Sequence, residues 1–192
     1  METQLEISEQ FKKESSKTAL LWLGIVSIVM LFAAFTSAYI VSMGGKGWLE
    51  FDLPTVFYTS TLVIVLSSLL MVFAVVAGKN GNQMVSVSLL GLTLFSGIIF
   101  VYLQVSGWNA LTSQGIYFTG STSSNSGSYL FILTALHIVH LLAAFIALII
   151  TLIRALMNKY SAENYNGLKR CSIYWHFLTI LWVYLFLFLE FI

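Results

Sequence analysis

The sequence has 192 residues, of which 58% are apolar and only 9% are charged, and its formal net charge is +1. A water-soluble domain needs about 25% charged residues to solvate its surface. The composition therefore predicts a membrane protein, for which lipid is the main solvent. The small net charge argues against a nucleic-acid partner. The single cysteine, Cys171, excludes an internal disulfide and a cysteine-based metal site.

Five long apolar runs follow a polar N-terminal segment at 1–19. They cover residues 20–42, 56–77, 84–105, 129–151 and 173–192. Each is long enough to cross about 30 Å of hydrocarbon as a helix rising about 1.5 Å per residue. Helices are predicted because lipid cannot pair free backbone groups, and because the alternating polarity of membrane strands is missing. The predicted fold is an all-α membrane protein, a bundle of five transmembrane helices.

Positive charges predict how the chain crosses the membrane. Eight of the nine Lys and Arg residues lie in segments 1–19, 78–83 and 152–171, which share one side, and only Lys46 lies on the other. Because basic loops stay in the cytoplasm, we expect a cytoplasmic N-terminus and an outer C-terminus. The first run lacks a clear cleavage site and is predicted to be a retained helix, which fits a bacterial plasma membrane. The polar stretch at 119–128 is predicted to be an exposed loop.

Ionisable residues are almost absent from the predicted membrane segments. None contains Asp, Glu, Lys or Arg, except for Glu190 near the end of the last one. Transporters and pumps usually carry such groups in mid-membrane, because something there must hold the ion or proton. The sequence therefore argues against a carrier or pump that acts alone.

Three histidines are the candidate functional groups: His137 and His140 in the fourth segment and His176 in the fifth. A haem held between helices needs two histidines at similar depth. Counted from the cytoplasmic edge, His140 and His137 lie roughly 16 and 20 Å deep, against roughly 5–9 Å for His176. The pair in the fourth segment shares one helix face, but no further metal ligand is evident nearby. We expect hydrogen bonding or packing between helices, with a haem, metal, lipid-headgroup or proton role as alternatives.

Two stretches carry motifs of a known family. Residues 127–140 read GSYLFILTALHIVH and residues 174–186 read YWHFLTILWVYLF. Both resemble subunit III of haem–copper terminal oxidases, the cytochrome c oxidase subunit 3 family, in its short form with five helices. Gln104, expected at the membrane interface, resembles a glutamine of the family's middle helix. The resemblance makes six residues structural or lipid-contact candidates, namely Gln104, His137, His140, Tyr174, Trp175 and His176.

Three acidic positions of the family are neutral in this chain. The carboxylates expected in the first, middle and last core helices are replaced by Ile28, Gly107 and Thr179. A role in proton uptake through acidic groups of this chain is therefore not expected.

The resemblance implies a non-catalytic subunit of a respiratory complex that oxidises cytochrome c or a quinol, reduces oxygen to water and pumps protons. In the family, haem and copper belong to subunits I and II, and subunit III commonly holds phospholipid between its helices. The expected partners are subunits I and II and phospholipid, with another respiratory complex as a further candidate. No catalytic residue, cofactor site or metal ligand is expected in this chain.

Several alternatives stay open from the sequence. A quinol oxidase subunit III and an accessory subunit of a nitric-oxide reductase share the five-helix pattern. A membrane cytochrome b is a more distant alternative, and a haem absorption band from the chain alone would indicate it. A transporter is another, and solute flux into liposomes that contain only this chain would indicate it.

Overall fold

The computed structural model describes residues 2–45, 48–49, 51–120, 124–158, 160 and 165–192. The helices are α1 (Glu2–Ser42), α2 (Thr55–Lys79), α3 (Gln83–Ser113), α4 (Asn125–Leu156) and α5 (Asn166–Phe191). All five are long and apolar enough to cross a membrane. The predicted all-α membrane fold with five transmembrane helices is confirmed.

The helices around the third connection extend beyond the apolar runs. α3 continues to Ser113 and α4 begins at Asn125, so the connection is shorter than the sequence indicated. The loop predicted at 119–128 is wrong for its last four residues, 125–128, which form the first turn of α4. There the hydroxyl of Ser124 accepts a hydrogen bond from the backbone N–H of Gly127 at 3.1 Å and caps α4. Residues 121–123 lie outside the described residues.

Four helices form a ring in chain order. α2 packs on α3, α3 on α4, α4 on α5, and α5 packs back on α2. α1 lies outside this ring against α4 and α5, and most of its apolar side chains are exposed. α5 contacts three helices and is the most enclosed of the five, since half of its most apolar window is buried against 17% for α1.

Polar contacts gather three connecting segments at one end of the bundle. Glu14 accepts hydrogen bonds from Arg170 at 2.6 Å and from Lys17 at 2.7 Å. The amide of Gln83, at the start of α3, donates to the carbonyl of Tyr160. The N-terminal part of α1, the α2–α3 turn and the α4–α5 connection therefore lie at the same end of the bundle. The distribution of basic residues predicts the same arrangement. Three of the counted basic side chains lie outside the described residues, those of Lys13, Lys46 and Lys159.

Gly97 allows α3 to approach α4 and α5 closely. A Cβ atom at this position would lie 2.6 Å from Cε1 of Phe145 and 2.8 Å from Cη2 of Trp175. Helices in lipid associate largely through van der Waals contact, so a small residue at such a point stabilises the bundle. Gly91, earlier on the same helix, would place a Cβ in open space.

We expect Gly97→Ala to lower the free energy of unfolding by about 1–3 kcal/mol, because the added methyl overpacks two aromatic rings. Gly91→Ala is the matched control and should change it by less than about 0.5 kcal/mol. Unfolding of the purified chain in mixed micelles, titrated with a denaturing detergent, measures both. Equal effects of the two substitutions would contradict the close approach.

Candidate functional site in the bundle core

Each of the helices α2 to α5 contributes one aromatic side chain to a shared contact in the bundle core. The indole of Trp182 on α5 lies 5.0 Å from the ring of Phe100 on α3 and 5.1 Å from the imidazole of His137 on α4. It stacks at 6.5 Å on Phe57 of α2. All four side chains, which we call the core cluster, are at most 2% exposed. Aromatic contacts of this kind stabilise a core beyond the burial of their area.

Two indole hydrogen bonds join α5 to α2. Nε1 of Trp182 donates to Oγ1 of Thr61 at 2.9 Å, and Nε1 of Trp175 donates to Oγ of Ser67 at 3.1 Å. The two tryptophans lie two helical turns apart on one face of α5, and their acceptors are spaced similarly on α2. Because a buried N–H without a partner costs free energy, the pair fixes the register of these antiparallel helices.

Hydrogen bonds also join the other neighbours in the ring. The amide Nε2 of Gln104 on α3 donates to Oγ of Ser60 on α2 at 2.8 Å. Nε1 of Trp108 donates from α3 to Oγ1 of Thr134 on α4 at 2.9 Å. The hydroxyl of Tyr174 on α5 donates to the α4 backbone carbonyl of His140 at 3.3 Å. Each of the four contacts of the ring therefore contains an interhelical hydrogen bond.

Gln104 is buried between helices, and its predicted depth at the membrane interface stays a prediction. Its side chain is 0% exposed. Two features of the structure account for this. α3 extends well beyond the predicted apolar run, so Gln104 is not near its end, and the small Ser60 lets the amide lie between α2 and α3.

The three histidines lie in three different surroundings. His137 is fully buried in the core cluster. His140 is half-buried, its ring lies 5.7 Å from that of Phe32 on α1, and its Nδ1 donates to the carbonyl of Leu136 at 2.7 Å, since a carbonyl only accepts. His176 is half-buried on the α2–α5 contact, with Nδ1 2.6 Å from Oγ of Ser68. Within the described ranges, no three His, Cys, Asp or Glu residues are grouped so as to hold a metal ion.

Two apolar grooves lie on the outside of the bundle. One of about 400 Å³ is lined by side chains of α3, of α4 and of the segment between them. The other, of about 390 Å³, lies between α1 and α5. Phe131 and Val139 line the first, and Val29 and Ile180 line the second. Both grooves lie on membrane-spanning helices and offer apolar contact to whatever surrounds the bundle.

A family model described as cytochrome c oxidase subunit III matches residues 19–192, which is nearly the whole chain. The chain belongs to the cytochrome c oxidase subunit III family. The resemblance predicted from the motifs at 127–140 and 174–186 is confirmed. The family is part of a terminal oxidase complex, so other oxidase subunits are implied as partners. Together with the five apolar helices, it identifies an integral membrane protein.

Relatives from several bacteria are similar to this chain. Cytochrome c oxidase subunit 3 of Corynebacterium diphtheriae is 28% identical over 172 residues, which cover 85% of this chain and 82% of the relative. Cytochrome bo(3) ubiquinol oxidase subunit 3 of Pseudomonas aeruginosa is 25% identical over 170 residues, with coverages of 86% and 79%. Probable cytochrome c oxidase subunit 3 of Mycobacterium tuberculosis is 32% identical over 132 residues, with coverages of 69% and 64%.

The six structural or lipid-contact candidates fall into two groups, one buried and one half-buried. Gln104, His137 and Trp175 are enclosed within the ring. His140, Tyr174 and His176 are half-buried. The structural or lipid-contact role of all six remains a prediction.

Sequence reasoning did not find the hydroxyl acceptors of the interhelical bonds. The acceptors Thr61 and Ser67 are six residues apart, and the donors Trp182 and Trp175 are seven apart. Both spacings are about two helical turns, and this similarity is the signal that could have revealed the pairing.

We expect Thr61→Val to destabilise the bundle by about 0.5–1.5 kcal/mol, because the indole N–H of Trp182 loses its acceptor in an apolar surrounding. Thr59→Val is the matched control on the same helix. Thr59 is exposed and its hydroxyl contacts only its own helix backbone, so the change should stay within about 0.5 kcal/mol. The same detergent-unfolding measurement compares the two. A neutral Thr61→Val would show that this bond does not hold α2 and α5 together.

Proposed function

We propose that this chain is the non-catalytic subunit III of a haem–copper terminal oxidase of the cytochrome c oxidase type, acting in aerobic respiration. The match of the family model over residues 19–192 carries the proposal. Relatives named for a cytochrome c oxidase include those at 28% and 32% identity. The relative named for a ubiquinol oxidase, at 25% identity over a similar length, makes a quinol oxidase the second candidate.

In this proposal the chain contributes structure to the complex. A hydrogen bond from a polar side chain crosses every contact of the ring, which supports a bundle of fixed register beside the catalytic subunit. Haem and copper belong to subunits I and II, as the family resemblance implies. The chain therefore supports the assembly and stability of the complex.

Phospholipid is the second proposed partner. The grooves on the α3–α4 and α1–α5 faces are apolar and open toward the surroundings of the bundle. An acyl chain matches such a surface, because it offers van der Waals contact without polar groups that need partners. We place lipid in these grooves at the edge of the oxidase.

We further propose a bacterial plasma membrane with a cytoplasmic N-terminus and an outer C-terminus. Support comes from the charges, since Lys17, Lys79, Arg154 and Arg170 gather at the end of the bundle that holds the start of α1. Basic segments are retained on the cytoplasmic side during insertion.

Co-purification from native membranes tests the oxidase proposal. A tagged chain, solubilised gently, should bring down a large haem-bearing subunit, and the reduced-minus-oxidised spectrum should show a- or o-type haem bands. Single substitutions to Gln at His137, His140 and His176 should leave those bands unchanged and at most reduce the yield of complex, because the histidines pack between helices. An untagged strain is the control.

Other outcomes of that experiment overturn parts of the proposal. A chain that purifies alone and colourless contradicts membership of an oxidase complex. A haem band lost with one histidine variant, or present in the chain alone, favours a membrane cytochrome b. Oxygen consumption by the purified complex with reduced cytochrome c, compared with a quinol, separates the two oxidase candidates.

Cysteine labelling tests the orientation. With Cys171→Ser as background, Asn80→Cys in the α2–α3 turn and Ser113→Cys at the end of α3 place one exposed thiol at each end of the bundle. A membrane-impermeant maleimide should label only the second variant in intact cells and only the first in inverted vesicles. The reverse pattern would contradict a cytoplasmic N-terminus.

A further inference from the structure

Polar atoms of α3 and α4 lack hydrogen-bond partners in the bundle core. Among the described residues, neither ring nitrogen of His137 has a partner, and neither does Oε1 of Gln104. Both side chains are 0% exposed. Buried polar groups in folded proteins are nearly always paired, either with protein atoms or with water, because an unpaired group costs free energy in apolar surroundings.

The two side chains lie at one level of the ring. α3 and α4 are antiparallel neighbours, and Trp108, one turn after Gln104, is bonded to Thr134, one turn before His137. One turn before Gln104, the ring of Phe100 lies 5.9 Å from the imidazole of His137. Gln104 and His137 are therefore separated by no more than about one helical turn, roughly 5 Å, along the bundle axis.

Other contacts hold each of these side chains in place. The hydroxyl of Ser60 donates to the carbonyl of Phe57 at 2.8 Å, so it serves Gln104 as an acceptor. This orients the amide with its nitrogen on Ser60 and its Oε1 away from it. The imidazole of His137 is packed against Phe100 and Trp182 in the core cluster. With these contacts made, no hydrogen bond joins Gln104 directly to His137.

We infer that the core of the four-helix ring binds water between Gln104 and His137. A neutral imidazole offers one N–H and one lone pair, and the amide oxygen needs a donor. Water donates and accepts, so one molecule can donate to Oε1 of Gln104 and also pair with either ring nitrogen of His137. Buried waters with two to four polar partners are regular parts of folded proteins. The inference concerns the ring alone and does not rest on the proposed function.

A cryo-electron microscopy map of the full chain, with the subunits that co-purify with it, tests this site at a resolution that shows ordered water. We expect density at hydrogen-bonding distance, about 2.7–3.2 Å, from both Oε1 of Gln104 and one ring nitrogen of His137. A direct contact between the two side chains overturns the inference. So does a dry core in which each group is paired with protein atoms.

A double-mutant cycle provides a second test that does not depend on the map. Gln104→Leu and His137→Phe each remove one partner of the water, whereas the double variant removes both. We expect the double variant to be more stable than the single effects predict, with a coupling of about tenfold in the unfolding equilibrium constant. Additive effects overturn the inference.

Gln104→Leu combined with Thr151→Val is the matched control cycle. Thr151 is also buried on α4, but its hydroxyl donates to the carbonyl of Ala147 on its own helix, and it lies about 20 Å from His137 along that helix. This cycle should be additive. If Gln104→Leu or His137→Phe fails to fold, Gln104→Met and His137→Leu replace them, and the map still decides between water and direct contact.

Discussion

Hydrogen bonds between helices are the constraint on which this bundle depends, because lipid offers polar groups no partner. Van der Waals contact between apolar helices tolerates slippage, whereas an indole N–H that moves by one residue loses its acceptor. Trp182 on Thr61 and Trp175 on Ser67 therefore set the register of α5 against α2. Gln104 on Ser60 does the same for α3 against α2. In the described part of the chain, α1 packs against α4 and α5 and lies outside the ring.

This constraint explains why the residues of the family motifs make contacts between helices. The motif at 174–186 lies on α5, the most enclosed helix, and its two tryptophans bond to α2. The motif at 127–140 lies on α4 and places His137 in the core cluster. Residues with these tasks are hard to replace without a change of helix register. Packing of this kind is therefore sufficient to give these two stretches a recognisable sequence.

The sequence predicts the helices of this protein better than the faces they bury. Apolar runs longer than the membrane is thick identify the five helices without reference to tertiary contacts. Burial is different, because in a helix that is apolar on all sides hydropathy does not tell the lipid face from the protein face. Hydropathy alone thus did not predict that Gln104 is enclosed between helices. The start of α4 was missed because Ser and Gly also form loops, although Ser124 caps that helix.

The same constraint applies at Ile28, Gly107 and Thr179, the three neutral residues where the resemblance implies acidic groups. A Cβ at Gly107 would lie 2.8 Å from Cε2 of Phe57, so a glutamate there would displace a member of the core cluster. The hydroxyl of Thr179 donates to the carbonyl of Trp175 on its own helix, and Ile28 is buried among apolar neighbours. None of these side chains needs a counter-ion or a second polar group. At Gly107, aromatic packing thus occupies space that a carboxylate and its partners would need, and the buried side chains that the structure describes are held together by neutral groups.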